Sequence, residues 1–329
     1  MPEMTSVTRP FRFGVLAESA QTPHQLLATA RAAEDAGYAT LLIRDHILEA
    51  PFGHQLGPLT ALTAVACATT RLRIGTLVFA NDFRPPVLLA KELATLDQLS
   101  GGRLEIGLGT GFLRGEYDAA GLAFDAPKMK VDRIEEAIQL YKRLLSGQPC
   151  TFEGEHYQLA AFDSFPAPIQ RPHPPILIGA GGKRMLRLAG REANSVSLLS
   201  SSTADGVLTR SLEQRRPAAV AQQVAWVREG AGSRFSEVEL SVVAAINVTD
   251  DRHAAARDYA RQQGWSASEI TPSEVLELPT VLFGTPAEIV QAMAARREQF
   301  GLSYFVVSDR QVAEFAPVVA LAADAILPA

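Results

Sequence analysis

Apolar and polar positions alternate along this chain in two rhythms, and the switch between them marks its elements. Short apolar runs at residues 11–16, 40–44, 73–79, 103–108, 176–179, 195–199, 239–247 and 304–307 have the length of buried strands. Between them, apolar residues recur every three or four positions. Leu26, Ala30 and Ala33 share one face of a helix that Gly37 stops, and a second helical run covers about 58–70. Leu89, Leu93 and Leu96 follow Pro85 and Pro86, which suit a helix's first turn because their missing N–H groups would have no intrahelical partner there; Gly101 and Gly102 end the run. Ile134, Ile138, Tyr141 and Leu145 form a stripe ending at Gly147, and Thr285, Pro286 and Glu288 make a capping box before Ile289, Met293 and Phe300.

Strand runs separated by helical sequence imply parallel strands joined by right-handed crossovers. Across 329 residues this alternation favours a single α/β domain spanning 1–329, a (β/α)8 TIM barrel, over an open doubly wound sheet. The stretch 148–175 breaks the rhythm. FEGEHYQL and then FPAPIQRPHPP are too proline-rich for a helix and predict a hairpin plus an extended crossing segment, an insertion within the barrel after its fourth helix.

Composition narrows the function. The 47 % hydrophobic content supplies a sizeable core, and the formal charge of −5 argues against a nucleic-acid partner. Two cysteines, Cys67 and Cys150, build neither a disulfide framework nor a zinc site, so no metal is expected. The start MPEMTSVTRPFRFG has no apolar signal core and no run reaches the roughly 18 apolar residues of a membrane helix, so a cytoplasmic setting without membrane contact is expected.

In a (β/α)8 barrel, chemistry sits where strands open into loops at their C-terminal ends. Those positions here are Glu18, Asp45 and His46, Asn81, Asp82 and Arg84, Thr110, and the turn of Gly179, Ala180, Gly181, Gly182 and Lys183. His46 beside Asp45 has the chemistry of a general acid or base with a carboxylate to fix its tautomer, and equally that of a hydrogen-bonded structural histidine. Gly107, Gly109 and Gly111 leave room for a flat ligand. The run ILIGAGGKRMLRLAG is a strand entering a glycine turn that opens a helix, where free N–H groups and the helix dipole suit a phosphate. It does not match the dinucleotide fingerprint GxGxxG, and no nucleophile elbow, HExxH or Walker A motif is present.

These residues lie in longer segments, FRFG at Phe11, AEDAGYATLLIRDH ending at His46, RLRIGTLVFANDFRPPVLLAKELATLDQLSGGRLEIGLGTG from Arg71, FEGEHY at Phe152 and PPILIGAGG at Pro174. Through them the chain resembles the luciferase-like monooxygenase superfamily, particularly its deazaflavin (coenzyme F420) dependent oxidoreductases. The resemblance implies a cofactor ring over the C-terminal rim, edged by Asp45, His46 and Asn81. It also implies a non-prolyl cis peptide between Leu77 and Val78 behind the ring, an approach lined by Gly107, Gly109, Thr110 and Gly111, and a phosphate on Gly179, Ala180, Gly181 and Gly182. A homodimer is implied as well.

Hydride transfer between F420 and a small organic substrate is the activity this implies, with His46 and Asp45 as catalytic residues. The alternatives are an FMN-dependent monooxygenase using reduced flavin and oxygen, which needs a flavin reductase partner, and a flavin-binding protein without turnover. One departure bears on the substrate. Some sugar-phosphate dehydrogenases of the superfamily carry a glutamate directly after the strand-four GTG, where this chain has Phe112. An apolar or conjugated substrate is therefore expected beside Phe112, with Arg84 as a candidate to hold its carbonyl or carboxylate.

Overall fold

Eight parallel strands close into a barrel in the computed structural model, which describes residues 9–324 apart from 201, 205 and 210. They are β1 (Arg12–Ala17), β2 (Thr40–Ile43), β3 (Arg73–Thr76), β4 (Leu104–Gly109), β5 (Ile176–Ala180), β6 (Ser195–Leu198), β7 (Glu239–Val243) and β8 (Leu302–Ser308). Each pairs with the next, and β8 returns to β1 with Phe13 opposite Phe305 and Val15 opposite Val307. Around them lie α1 (Pro23–Asp35), α2 (Pro58–Ala68), α3 (Pro86–Leu99), α4 (Arg114–Ala120), α5 (Pro127–Leu144), α6 (Lys183–Glu192), α7 (Pro217–Ala231), α8 (Arg252–Gln262), α9 (Pro272–Glu277), α10 (Pro286–Phe300) and α11 (Val312–Asp324). The TIM-barrel expectation is met.

Alternation along each strand divides the core in two. Outward residues such as Val15, Leu41 and Ile106 pack against Leu62, Leu89 and Leu93 of the helices, all fully buried. Burying a side chain of this kind contributes about 1.5–3 kcal/mol. Inward residues Leu16, Leu42, Leu77, Leu177, Tyr304 and Val306 form a second cluster that fills the barrel. The capping box at Thr285 is present: its hydroxyl accepts from Glu288 N while the Glu288 carboxylate accepts from Thr285 N.

Two strand expectations need correction. The run 239–247 is not one strand, because the chain changes hydrogen-bond partner in its middle: Ala244 N donates to Val306 O of the barrel, whereas Ala245 N donates to Thr280 O. Residues Ala245–Val248 therefore pair with a separate strand, Val281–Gly284, outside the barrel. The run 73–79 is broken after Thr76, and the two residues Phe79–Ala80 pair separately with Leu108 and Gly109.

In the stretch 148–175, Cys150–Glu153 and Gln158–Phe162 form an antiparallel hairpin. The extended part that follows is held by buried Asp97 of α3, whose Oδ2 accepts from Ile169 N at 2.7 Å and Gln170 N at 3.0 Å. Among the described residues no helix is long and apolar enough to cross a membrane.

Candidate functional site

Successive residues leaving a strand point to opposite sides, and β2 shows the consequence. Asp45 is buried, accepting from Ala80 N at 3.1 Å and pairing with both ends of the Arg84 guanidinium at 2.5 and 2.9 Å. His46 turns the other way. Its Nδ1 lies 3.1 Å from both carboxylate oxygens of Glu116 on α4. The expectation that Asp45 orients His46 is therefore corrected: Glu116 holds the ring, and Asp45 ties the strand-three loop to β2. The expectation that Arg84 holds substrate is corrected too, since its fork is committed to Asp45 and its charge is balanced there.

Three rings meet at this spot. Phe52 stacks on His46 with centroids 4.4 Å apart, and Phe112 meets His46 edge-on at 5.9 Å. Arg44, paired with Glu18, covers the Phe52 ring at 4.9 Å. Burial by itself would raise the Glu116 pKa, but the hydrogen bond and charge of His46 and the N–H groups of Ile47 and Leu48 outweigh it and hold the carboxyl below its ordinary value. Glu116 is thus an ionised acceptor at neutral pH.

The peptide bond between Leu77 and Val78 is cis, as the resemblance implied. Its neighbours overturn one reading of the glycines. A Cβ on Gly107 would collide with Thr76 O, and one on Gly109 would stand 2.5 Å from Val78 Cγ2. Both glycines admit β3 and the Val78 side chain, not a ligand. Gly179 faces Val78 from the other side, at 3.1 Å from Cγ1 to its added Cβ, so Val78 closes the barrel mouth between β4 and β5. Gly111, with φ +70, abuts the Tyr117 hydroxyl, which donates to Asp82 at 3.0 Å and lies 3.2 Å from Thr110 O.

Beneath Gly111 lies a buried cation. Lys130 Nζ donates to Gly111 O at 3.1 Å and sits 3.5 Å from Asp82, which also binds Arg133 at 2.9 Å. Burial lowers the Lys130 pKa, and the Asp82 carboxylate works against that shift. This network stiffens the turn that carries Phe112.

Two features of the rim suit a ligand. Asn81 is buried, its Nδ2 donates to the Tyr157 hydroxyl at 3.3 Å, and its Oδ1 has no partner. A buried acceptor left unpaired is costly, and a ring N–H from a bound molecule would satisfy it. At the other side, Gly182 precedes α6 in an extended conformation (φ −90, ψ 150) and no side chain caps the helix. A Cβ there would meet nothing within 4 Å. The carbonyls of the turn are already bound, Ala180 O by Leu199 N at 2.9 Å and Gly181 O by Gln223 at 3.3 Å, which leaves the helix-start amides for an anion. Arg184 adds no charge to the turn, because it pairs with Asp132 and donates to Lys128 O at 3.1 Å.

Glu116, Phe52 and Tyr157 were missed from sequence. For Glu116 there was a signal, an acidic residue in the first turn of the helix after β4, close behind Phe112. Tyr157 ends the FEGEHY segment in the turn of the predicted hairpin, which marked it without giving a role, and Phe52, from the loop after β2, had no signal.

Comparison with known proteins matches residues 4–276 to a family model described as luciferase-like monooxygenase. A protein of Nakamurella multipartita named F420-dependent glucose-6-phosphate dehydrogenase is 32 % identical over 274 residues, 80 % of this chain and 75 % of that protein. A protein of the same name from Microbacterium testaceum is 35 % identical over 193 residues, 57 % of this chain and 56 % of that protein, so the chain spans little more than half of its length. Among solved structures, the coenzyme F420 dependent tetrahydromethanopterin reductase of Methanopyrus kandleri superposes with a TM-score of 0.73 at 20 % identity, covering 95 % of this chain and 97 % of that one.

Proposed function

We propose, for a chain that belongs to the luciferase-like monooxygenase family, hydride transfer between coenzyme F420 and a small apolar or conjugated organic substrate. When bound, the deazaflavin supplies hydride exchange at its C5. The protein supplies the rest. The uncapped start of α6 would take the cofactor phosphate on its amides, and the unpaired Oδ1 of Asn81 would accept from the ring system. Relatives over most of this chain's length carry F420 in their names, which supports this cofactor over FMN.

The observation that carries the substrate reading is the ring set around His46. Phe52, stacked on His46 at 4.4 Å with Arg44 over its ring, and Phe112 at 5.9 Å form an apolar wall beside the histidine, and a flat enone, imine or aromatic would lie against Phe112. His46 Nε2 would deliver the proton that accompanies hydride addition to the substrate, or take it in the reverse direction. A sugar hydroxyl against the same wall would lose its water without a replacement partner, at about 1–3 kcal/mol. For this reason the sugar-phosphate activity in the relatives' names is not proposed here.

The test has two steps. Titration of the purified protein with F420 and with FMN should show binding of F420 at least tenfold tighter; preference for FMN with oxygen consumption would replace the hydride reading by the monooxygenase one. A turnover screen should then find oxidation of reduced F420 by conjugated carbonyls or imines. Efficient reduction of F420 by glucose 6-phosphate would overturn the substrate class.

A further inference from the structure

The Glu116 carboxylate joins the β2 loop to the histidine ring: Oε1 accepts from Ile47 N at 2.6 Å and from Leu48 N at 3.4 Å, and both oxygens lie 3.1 Å from His46 Nδ1. An ionised carboxylate offers acceptors only, so Nδ1 must carry the ring proton. That leaves Nε2 of the neutral ring as an acceptor, and among the described residues no group bonds it. Phe52 and Phe112 present only apolar surface to the ring, so nothing else fixes its tautomer.

We propose that Glu116 is a positioning residue that sets the His46 tautomer and aims Nε2 at the substrate, a proposal that rests on the acid–base role given to His46 above. Phe112 meets the ring edge-on and Glu116 holds Nδ1, which leaves Nε2 as the proton-transfer atom of this reading. Substrate oxidation moves one hydride to the cofactor and one proton to Nε2, and substrate reduction returns both, so a single such atom suffices for one two-electron step.

The two kinds of substitution separate the roles of this carboxylate. Because both oxygens lie 3.1 Å from Nδ1, the amide carbonyl of Glu116→Gln can still accept from Nδ1–H and keep the tautomer. Glu116→Leu removes every acceptor, so nothing then holds the ring proton on Nδ1.

The experiment is nitrogen NMR of the histidine rings in the cofactor-free protein, with the His46 signals assigned by their loss in His46→Gln, and with turnover measured alongside. In the wild type, Nδ1 should show a protonated and Nε2 an unprotonated shift at neutral pH. In Glu116→Leu the ring should lose its single tautomer, both nitrogens moving to averaged shifts, and kcat should fall by about 10²- to 10⁴-fold with little change in cofactor KM. Glu116→Gln should keep the Nδ1-protonated pattern and restore most of the turnover. Ring shifts that do not change in Glu116→Leu would overturn the positioning role. Averaged shifts with unchanged turnover would leave the positioning geometry in place and overturn the acid–base role of His46 on which it rests.

Discussion

The two ends of the barrel are built from the same residue types and satisfied to different degrees. At the N-terminal end the charges answer one another inside the strands: Arg12 binds Glu105 and, at 2.7 Å, Glu239; Arg73 binds Glu105 at 2.6 Å; and Arg12 lies 4.2 Å over the Tyr304 ring. Thr40 and Ser195 complete the set with hydrogen bonds of 2.8 and 3.1 Å. At the C-terminal end the pairs Asp45 with Arg84 and Glu18 with Arg44 are also closed, yet among the described residues no group bonds His46 Nε2 or Asn81 Oδ1 and no side chain caps the start of α6. A closed charge cluster fixes strand register; an open one waits for a ligand. This is the division of labour expected of barrel faces.

The sharpest way to break the comparison is to remove one group from each end. His46→Ala should lower turnover by about 10²- to 10⁴-fold, which is about 2.7–5.4 kcal/mol of barrier, while the urea midpoint moves little. Turnover within a fewfold of wild type would return His46 to a structural role. Glu105→Ala should behave in the opposite sense. It leaves Arg12 with Glu239 alone and takes from Arg73 the carboxylate it binds, and breaking a buried ion pair by removing one partner costs about 3–5 kcal/mol. Urea unfolding should report that loss with cofactor affinity unchanged in the folded fraction; a drop in affinity at the same stability would tie the N-terminal cluster to the site.

The comparison also explains what could be read in advance. The barrel was legible because strand and helix differ in hydrophobic period, and the period is a local property of the sequence. The split at Ala244 and Ala245 was not, because both halves are apolar and only the identity of the hydrogen-bonding neighbour separates them. At the site, His46 was found by its place after β2, but its partner was sought in the adjacent Asp45, which a strand end directs to the opposite side. Glu116 is remote in sequence and reaches His46 only because α4 turns back over the β2 loop. The glycines of β4 were legible as close-approach positions. What approaches two of them is Thr76 and Val78, as only the folded packing of β3 shows.

A smaller effect sharpens the electrostatics of the open end. The Glu116 carboxyl is held below its ordinary pKa of 4.5 against the tendency of burial to raise it, by His46 and by the amides of Ile47 and Leu48. A folded pKa below the unfolded one means that ionised Glu116 favours the native state. Its contribution is present in full above about pH 4.5 and is lost as pH falls through the depressed folded value. Hydrogen bonds to a charged group contribute about 1.5–3 kcal/mol. The stability difference between wild type and Glu116→Gln should therefore be largest near pH 7 and shrink steadily on acidification below pH 4.5. A difference independent of pH would mean that shape, not charge, holds the β2 loop.

The smallest expected effect tests the other leftover group, the bare start of α6. Gly182 has an extended backbone that any residue adopts, with open space where its side chain would be. Gly182→Asp puts a carboxylate there that accepts from the helix's own first amides, which makes it a better N-cap than glycine by a few tenths of a kcal/mol. The same carboxylate occupies the amides and repels an incoming phosphate. Thermal stability should then hold or rise slightly while F420 affinity falls about tenfold, equivalent to about 1.4 kcal/mol. The two readouts moving in opposite directions separate this from damage to the fold. A capped, slightly more stable helix that binds F420 as tightly as wild type would place the phosphate elsewhere, and the open end of the barrel would then owe its unpaired amides to solvent.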